Sequence, residues 1–537
     1  MRVSLGNFPA PWKNRGSSRR RIPILPGWEF DPRDRGEIAP RPRVDETRFG
    51  RRPRRITMPF STYISGRPTA VRFSWPNRPT RTPPHETSES SSPKSSILSS
   101  KDPDDRPDMI GSWIAGFVGA ITCLLYLAYF WKVNWVKDLR KLTRSHRSLA
   151  GSLADTGQRK FGKLPPVYPN GWFCLLESWQ LKPREVKHVS ALGENFAVFR
   201  TEKGIVRVID AYCPHLGANM AEGGRVKGDC LECPFHGWSF RGEDGRCDAV
   251  PYSKKVPEYA KVRTWKSCEV NNGIFVWYHA ESADPEWSIS QNENLSNGTW
   301  RYQGRNQYLV NSHIQEIPEN GADWAHLTAV HGPAMFIGDL FPGLIRHSWT
   351  NVVWTPRYKP SSSPNPEDST EGNEINGRVP TSGEDAADST GDSEENRSQR
   401  HIATMNLRHC LVLFDRFEFL CFDVKVDQIG PAYVELLITS TLGPVFIVQT
   451  VLPVSPLVQR VTHVVYSSPL LTPYASLILI GECVMFERDV AVWNYKRYER
   501  RPVLVKEDRG IMPYRRWYSQ FYSANSPTYS SAKTLDW

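Results

Sequence analysis

The chain has 537 residues, room for two to three domains, and a formal charge of +11. That surplus is no nucleic-acid footprint, because much of it sits in an N-terminal tail and in a segment that follows an apolar run; no nucleic-acid partner is expected. Ten cysteines without framework spacing argue against a disulfide-stapled secreted domain and fit a reducing compartment.

Residues 1–105 are rich in Arg, Pro and Ser and lack apolar periodicity, so they read as a disordered basic tail. Acids such as Glu29, Asp31, Asp34 and Glu37, set among prolines, count against an amphipathic presequence helix there. Met109 to Trp131 carries no charge and has the length a bilayer requires, about 20 residues. Trp113, Tyr129 and Trp131 near its ends suit an interfacial belt. The run predicts a single-pass transmembrane helix over 109–131. Lys101 to Asp108 before it is mostly acidic, whereas Lys132, Lys137, Arg140, Lys141, Arg144 and Arg147 follow it. Positive flanks stay inside, so the remainder of the chain is placed in the cytosol, on the endoplasmic reticulum membrane. The sequons at Asn294 and Asn297 would then stay bare. Residues 132–164 read as a basic linker.

Over 165–282, short alternating runs such as Asn195–Arg200, Gly204–Ile209 and Gly273–Tyr278 predict a mostly antiparallel β domain. Two loops stand out in it: Cys213-Pro-His215-Leu-Gly217 and Cys233-Pro-Phe-His236-Gly237. Two thiolates and two neutral imidazoles are the ligand set of a Rieske [2Fe–2S] cluster, in which Cys213 and Cys233 hold one iron and His215 and His236 the other. The glycines allow tight turns whose amides face the cluster sulfurs. Zinc also takes two Cys and two His, and Cys230 adds a C-x-x-C pair. Zinc fingers do not alternate Cys and His within matched loops, so Cys230 is read as a small buried residue.

From 283 to 537, strand candidates at 411–414, 433–438 and 461–466 mix with a long late helix over 476–500. A curved sheet around a helix would enclose an apolar cavity. Residues 359–400, rich in Ser, Glu, Asp, Pro and Gly, read as a disordered insertion. Asp323, His326 and His331 lie close together before it. Two His and one carboxylate form the open facial triad that binds Fe(2+) and O2. Asp323 and His326 share a helix face, so the Asp323 carboxylate is expected to accept the ring N–H of His326. His326 and His331 are roughly 140° apart on an ideal helix, which predicts an end or distortion between them. The third ligand must come from Glu482, Glu487 or Asp489 on the late helix.

The run from Cys213 to Cys247 resembles the Rieske domain of oxygenases. Respiratory Rieske proteins carry an extra Cys in each loop, where this chain has Ala218 and Phe235. The segments Gln315–His326 and Tyr514–Tyr522 resemble the cholesterol 7-desaturase (Neverland) family, and the similarity runs from about 160 to 525, the insertion aside. The resemblance implies an α+β fold: an N-terminal transmembrane helix, the Rieske domain, then a helix-grip (START-like) catalytic domain. It implies the oxygen- and NAD(P)H-dependent conversion of cholesterol to 7-dehydrocholesterol in steroid hormone synthesis. Electrons would come from a separate reductase or ferredoxin through the cluster to the mononuclear iron. It also implies that Asp489 is the third ligand, with Glu487 the second choice. In the family pattern Asp323 is the catalytic bridging acid of a head-to-tail homotrimer, hydrogen-bonded to a ligand His on each side. A steroid hydroxylase of the 3-ketosteroid 9α-hydroxylase type shares these metal motifs and is the alternative; a membrane-tethered Rieske electron carrier is a third reading.

Overall fold

The computed structural model describes residues 109–142, 161–334, 341, 343–358 and 398–534. The tail expected over 1–105, most of the 132–164 linker and nearly all of the 359–400 insertion lie outside these residues. Met109–Phe130 forms helix α1, where the uncharged run predicts a helix. Its Trp113, Phe117, Leu124 and Phe130 are exposed. The linker expectation is corrected at its start. Val133–Asp138 is strand β1, and Val133 is buried in the core. Six residues flanked by Lys132 and Leu139 carry too short an alternation to be told from a basic connection.

The next ten strands are β2 (Gly171–Glu177), β3 (Val186–Ala191), β4 (Glu194–Arg200), β5 (Val206–Asp210), β6 (Arg225–Lys227), β7 (Cys230–Glu232), β8 (Ser239–Arg241), β9 (Cys247–Ala249), β10 (Ser267–Val270) and β11 (Gly273–Tyr278). They form three antiparallel sheets, β10-β11-β2, β3-β4-β5 and β6-β7-β8-β9. Every residue of β11 is buried, which its unbroken Ile-Phe-Val-Trp-Tyr run foretells.

The rest is built on one large sheet. Its strands are β12 (Arg301–Asn311), β13 (Ile345–Pro356), β14 (Ile402–Leu413), β15 (Phe417–Ile429), β16 (Tyr433–Ser440), β17 (Gly443–Ser455) and β18 (Val458–Ser467), in the order β1-β12-β18-β17-β16-β15-β14-β13. Every pairing from β12 to β13 is antiparallel, and β1 adds in parallel at the edge. Two short helices precede and follow the sheet's long middle, α2 (Trp324–His331) and α4 (Ile511–Ser519), with the long helix α3 (Thr472–Trp493) between them in sequence.

Helix α3 lies on β12 and β18, with Tyr308 stacked on Phe486 at 5.2 Å and the His463 ring edge-on to Phe486 at 5.0 Å. By length and composition Pro469–Trp493 is the helix among the described residues apolar enough to cross a membrane. Its packing gives another reason for that composition. Ala475, Leu479, Cys483, Phe486 and Val490 are buried in the core, and a second stripe of α3 lines a cavity. We therefore read it as the gripped helix of the sheet.

The β domain and the large sheet share one core. Leu175 and Phe196 belong to the same buried cluster as Val445 and Leu452. A buried ion pair, Arg305 to Glu177 at 2.6 Å, crosses between them. A disulfide joins Cys410 to Cys421 on neighbouring strands β14 and β15. The sequence spacing gives no hint of it, since only the hairpin brings the two cysteines side by side.

Candidate active site

The two Cys–His loops are built alike. In each, the Cys N–H donates to the carbonyl five residues on, Cys213 to Ala218 at 2.9 Å and Cys233 to Trp238 at 2.8 Å. In each, the glycine four residues after the Cys donates back to it, Gly217 at 2.9 Å and Gly237 at 3.1 Å. Both glycines sit at positive φ, +72° and +73°, which L side chains resist. Cys213 and Cys233 are buried, while His215 and His236 are half-buried with ring centroids 4.7 Å apart. The Trp238 indole stacks on His215 at 4.6 Å and fixes its plane. Burial pushes the Cys213 thiol up to about 11, with the adjacent Cys233 adding to the effect. A thiol raised as Cys213 is becomes a thiolate readily only beside strong positive charge, so this donor set fits an iron–sulfur cluster. Cys230 lies on β7 opposite Lys227 and Arg241, outside both loops.

The second site gathers two chain segments, α2 and α3. His331 Nε2 lies 3.1 Å from Asp489 Oδ1, and the His326 and His331 rings are 5.3 Å apart. One ligand atom from each of His326, His331 and Asp489 falls within 4.8 Å of the others. His331 Nδ1 is buried without a hydrogen-bond partner. Burial, first of all, holds the His326 imidazole below its ordinary value and so favours the neutral, ligating form. Two neutral imidazoles and one carboxylate, held this close, fit a ferrous ion.

Two local expectations change. Helix α2 runs unbroken through both histidines and stops at Gly332, so the end falls after His331 and not between the pair. Asp323 is the N-cap of α2. Its carboxylate accepts from the His326 main-chain N–H at 3.3 Å, and its main-chain carbonyl, not its side chain, meets His326 Nδ1. The cap position turns the Asp323 side chain toward the helix's unsatisfied amides, which outcompete the ring N–H.

The structure separates the three acids of α3. Asp489 reaches His331, Glu487 pairs with Lys137 at 2.6 Å on the surface, and Glu482 faces the cavity. That cavity, about 870 Å³, is lined mostly by apolar residues of β14–β17 and α3 and opens onto His326, His331 and Asp489. The volume lies at the large end of small-molecule sites. Sequence reading missed the polar residues in its wall, among them His347 and His409, whose rings meet at 2.6 Å and which burial holds down to about 4 and about 3. Their only trace in the sequence is a polar residue at an inward position of an apolar strand.

The segments Gln315–His326 and Tyr514–Tyr522 touch. Tyr514 Oη donates to the Gln315 carbonyl at 2.8 Å, and Arg515 grips Glu319 at 2.7 and 3.0 Å. Glu319 is 6% exposed, so Arg515→Ala leaves a buried carboxylate facing Lys496, at 3.6 Å and shared with Glu316. We expect a stability loss of about 3 kcal/mol, the lower part of the range for breaking a buried pair. Thermal unfolding measures it, and an unchanged midpoint would count against this brace.

Matched Cys–His loops on a small β domain, beside a two-His, one-carboxylate cluster under an apolar cavity, define a Rieske-type non-haem iron oxygenase. Comparison with known proteins agrees. The family profile described as Rieske [2Fe-2S] domain matches residues 171–260, and that described as 3-Ketosteroid 9alpha-hydroxylase C-terminal domain matches residues 276–522. The chain is 41% identical over 442 residues to the cholesterol 7-desaturase of Xenopus laevis, covering 78% of this chain and 88% of that protein. It is 29% identical over 378 residues to a probable 3-ketosteroid-9-alpha-monooxygenase oxygenase component of Rhodococcus rhodochrous, covering 67% and 82%. A crystal structure of dicamba monooxygenase bound to dicamba aligns with a TM-score of 0.45 and 14% identity, over 66% of this chain and 98% of that one. The chain belongs to the cholesterol 7-desaturase family.

Proposed function

We propose that this chain is a cholesterol 7-desaturase, converting cholesterol to 7-dehydrocholesterol with oxygen and with electrons drawn from NAD(P)H through a separate reductase or ferredoxin. The observation that carries the reading is the cluster of His326, His331 and Asp489 opening directly on a long apolar cavity. The higher identity to a cholesterol 7-desaturase than to a 3-ketosteroid monooxygenase favours desaturation over the hydroxylase alternative. A chain that only carried electrons would have no use for that cavity.

Cys213, His215, Cys233 and His236 would hold the [2Fe–2S] cluster, and His326, His331 and Asp489 the Fe(2+). When bound, these groups supply single-electron transfer and oxygen activation. The protein's own work is to bind and orient. Apolar side chains on β14–β17 exclude water from the ring system, and the inward stripe of α3 sets its long axis. Exposed Leu216 and Phe235 flank the cluster loops and suit docking against another subunit, which supports the homotrimer in which Asp323 bridges the two centres. In that role the Asp323 carboxylate would turn from the His326 main-chain N–H that it caps here to the His326 ring, which its own main-chain carbonyl now meets.

Helix α1 would anchor the chain in the endoplasmic reticulum membrane with the catalytic region in the cytosol. Tyr129 Oη donates to the Leu470 carbonyl at 3.4 Å, and Lys132 reaches Gln303 at 2.6 Å and Thr472 at 3.3 Å, so α1 ends beside the start of α3. There Leu442 and Leu477 both line the cavity and stand exposed, as does Leu420 on β15. An apolar entrance beside a membrane helix lets a sterol enter without crossing water.

Sterol profiling of cells that express the chain and are fed cholesterol tests the reading. A product with the ultraviolet absorption of a conjugated 5,7-diene is expected; a hydroxysterol in its place would overturn desaturation.

A further inference from the structure

One row of the large sheet is polar where its neighbours are apolar. Gln428 on β15 lies opposite Val434 on β16, Val434 opposite Gln449 on β17, Gln449 opposite His463 on β18, and His463 opposite Asn306 on β12. Residues directly opposite in antiparallel strands share a face, so all five point to the side gripped by α3. Rows nearby place Leu436 and Ile447 on that side.

At the centre of the row His463 is fully buried and held at both ring nitrogens. Nδ1 meets Asn306 Oδ1 at 2.8 Å and Nε2 meets Gln449 Oε1 at 3.1 Å. The Asn306 amide in turn lies 3.3 Å from Cys483 Sγ, tying the row to α3. Glu482, the next residue on α3, brings Oε1 to 3.6 Å from His463 Nε2. Burial holds His463 down to about 3, so it carries one ring N–H; with that proton on Nε2 it donates to the Gln449 carbonyl oxygen, Nδ1 accepts from the Asn306 amide, and the Gln449 amide N–H and Glu482 are left without a hydrogen bond of normal length. Both side chains line the cavity, and the 22% of the Glu482 side chain that is accessible opens into it. Burial pushes Glu482 up to about 7. A carboxyl group and an amide N–H placed in an apolar cavity are costly unless a ligand pairs with them.

We propose that Gln449 and Glu482 form a subsite for the single hydroxyl group of the sterol, with His463 and Asn306 as positioning residues. A hydroxyl suits the pair because it donates to the carboxylate while accepting from the amide. The spacing agrees with the chemistry. Glu482 and Asp489 are seven residues apart on α3, so they share a face with about 10 Å of rise between them. A sterol held at Glu482 by the hydroxyl on its first ring brings its second ring, the site of reaction, toward His326, His331 and Asp489. This subsite rests on the sterol reading given above.

The test is equilibrium binding to the purified full-length holoenzyme, without reductant, of radiolabelled cholesterol and of cholest-5-ene, the same skeleton without the hydroxyl. Wild type is expected to bind cholesterol at least ~10-fold tighter, as befits two hydrogen bonds formed inside an otherwise apolar cavity. Gln449→Met and Glu482→Leu should each remove about that factor for cholesterol and leave cholest-5-ene unchanged, while Glu482→Gln keeps most of it. In turnover the loss should fall on KM more than on kcat. Should Glu482→Leu fail to fold, Gln449→Met and the wild-type comparison still decide. Equal affinity of wild type for both sterols, or variants that weaken both alike, overturns the subsite and leaves the sterol reading standing. Binding of neither sterol by wild type overturns both.

Discussion

Asp489→Ala is expected to abolish sterol conversion and to strip the mononuclear iron while the cluster signal persists. The carboxylate lies 3.1 Å from His331 Nε2 and is the one acid of the three-residue cluster. Removing an outer-shell partner of a metal ligand already costs about 10–100-fold in metal affinity, and removing a ligand itself costs more. The informative control is two residues away. Glu487→Ala removes an ion pair with Lys137 whose side chains are 28% and 43% exposed, worth about 0–1 kcal/mol, and should leave turnover and iron content unchanged. Iron analysis beside product formation reads both variants. Full activity in Asp489→Ala, or its loss in Glu487→Ala, would exchange the roles assigned to these two acids.

Cys233→Ala should be as severe through the other centre. Cys233 is 2% exposed and anchors its loop through hydrogen bonds with Trp238 and Gly237. Replacing one thiolate leaves the buried Cys213 unable to hold a cluster with its two histidines alone. The paramagnetic signal of the reduced cluster should vanish and turnover should stop, while iron at His326, His331 and Asp489 remains. Cys230→Ala is the matched control, because Cys230 sits on β7 outside the loops, and its cluster signal should match wild type. Loss of metal in both variants, with zinc in the purified wild type, would instead restore the zinc reading of the four-residue set.

The candidate ligands on the loops and on α2 were legible because they are neighbours in the chain. Cys213 and His215, Cys233 and His236, and His326 and His331 each lie within one turn or one short helix, so spacing alone fixes which side chains meet. The α+β class and the long late helix were legible from alternation and length. Asp489 was not legible from the residues themselves. Three acids on one helix were open until family resemblance chose among them, and the packing of α3 then sent Glu487 to Lys137 and Asp489 to His331. Asp323 shows the opposite failure, in which a sound helical spacing argument overlooked that an acid at the helix start is drawn to the main-chain amides. Strand β1 was lost among lysines, and the Cys410–Cys421 pair was hidden because its halves, a sequence separation of 11 apart, meet only across a hairpin.

What this sequence determined by itself is the kind of chemistry: two thiol–imidazole loops and a pair of helical histidines, each set by a few covalent bonds of reach. What only the tertiary structure decided is the company they keep. Which acid completes the second cluster, and which polar side chains line the cavity before it, depend on the phase of α3 against the sheet and on the register of five strands. The decisive contacts, β12 on β18 and α2 on α3, join segments more than a hundred residues apart, where local spacing carries no information.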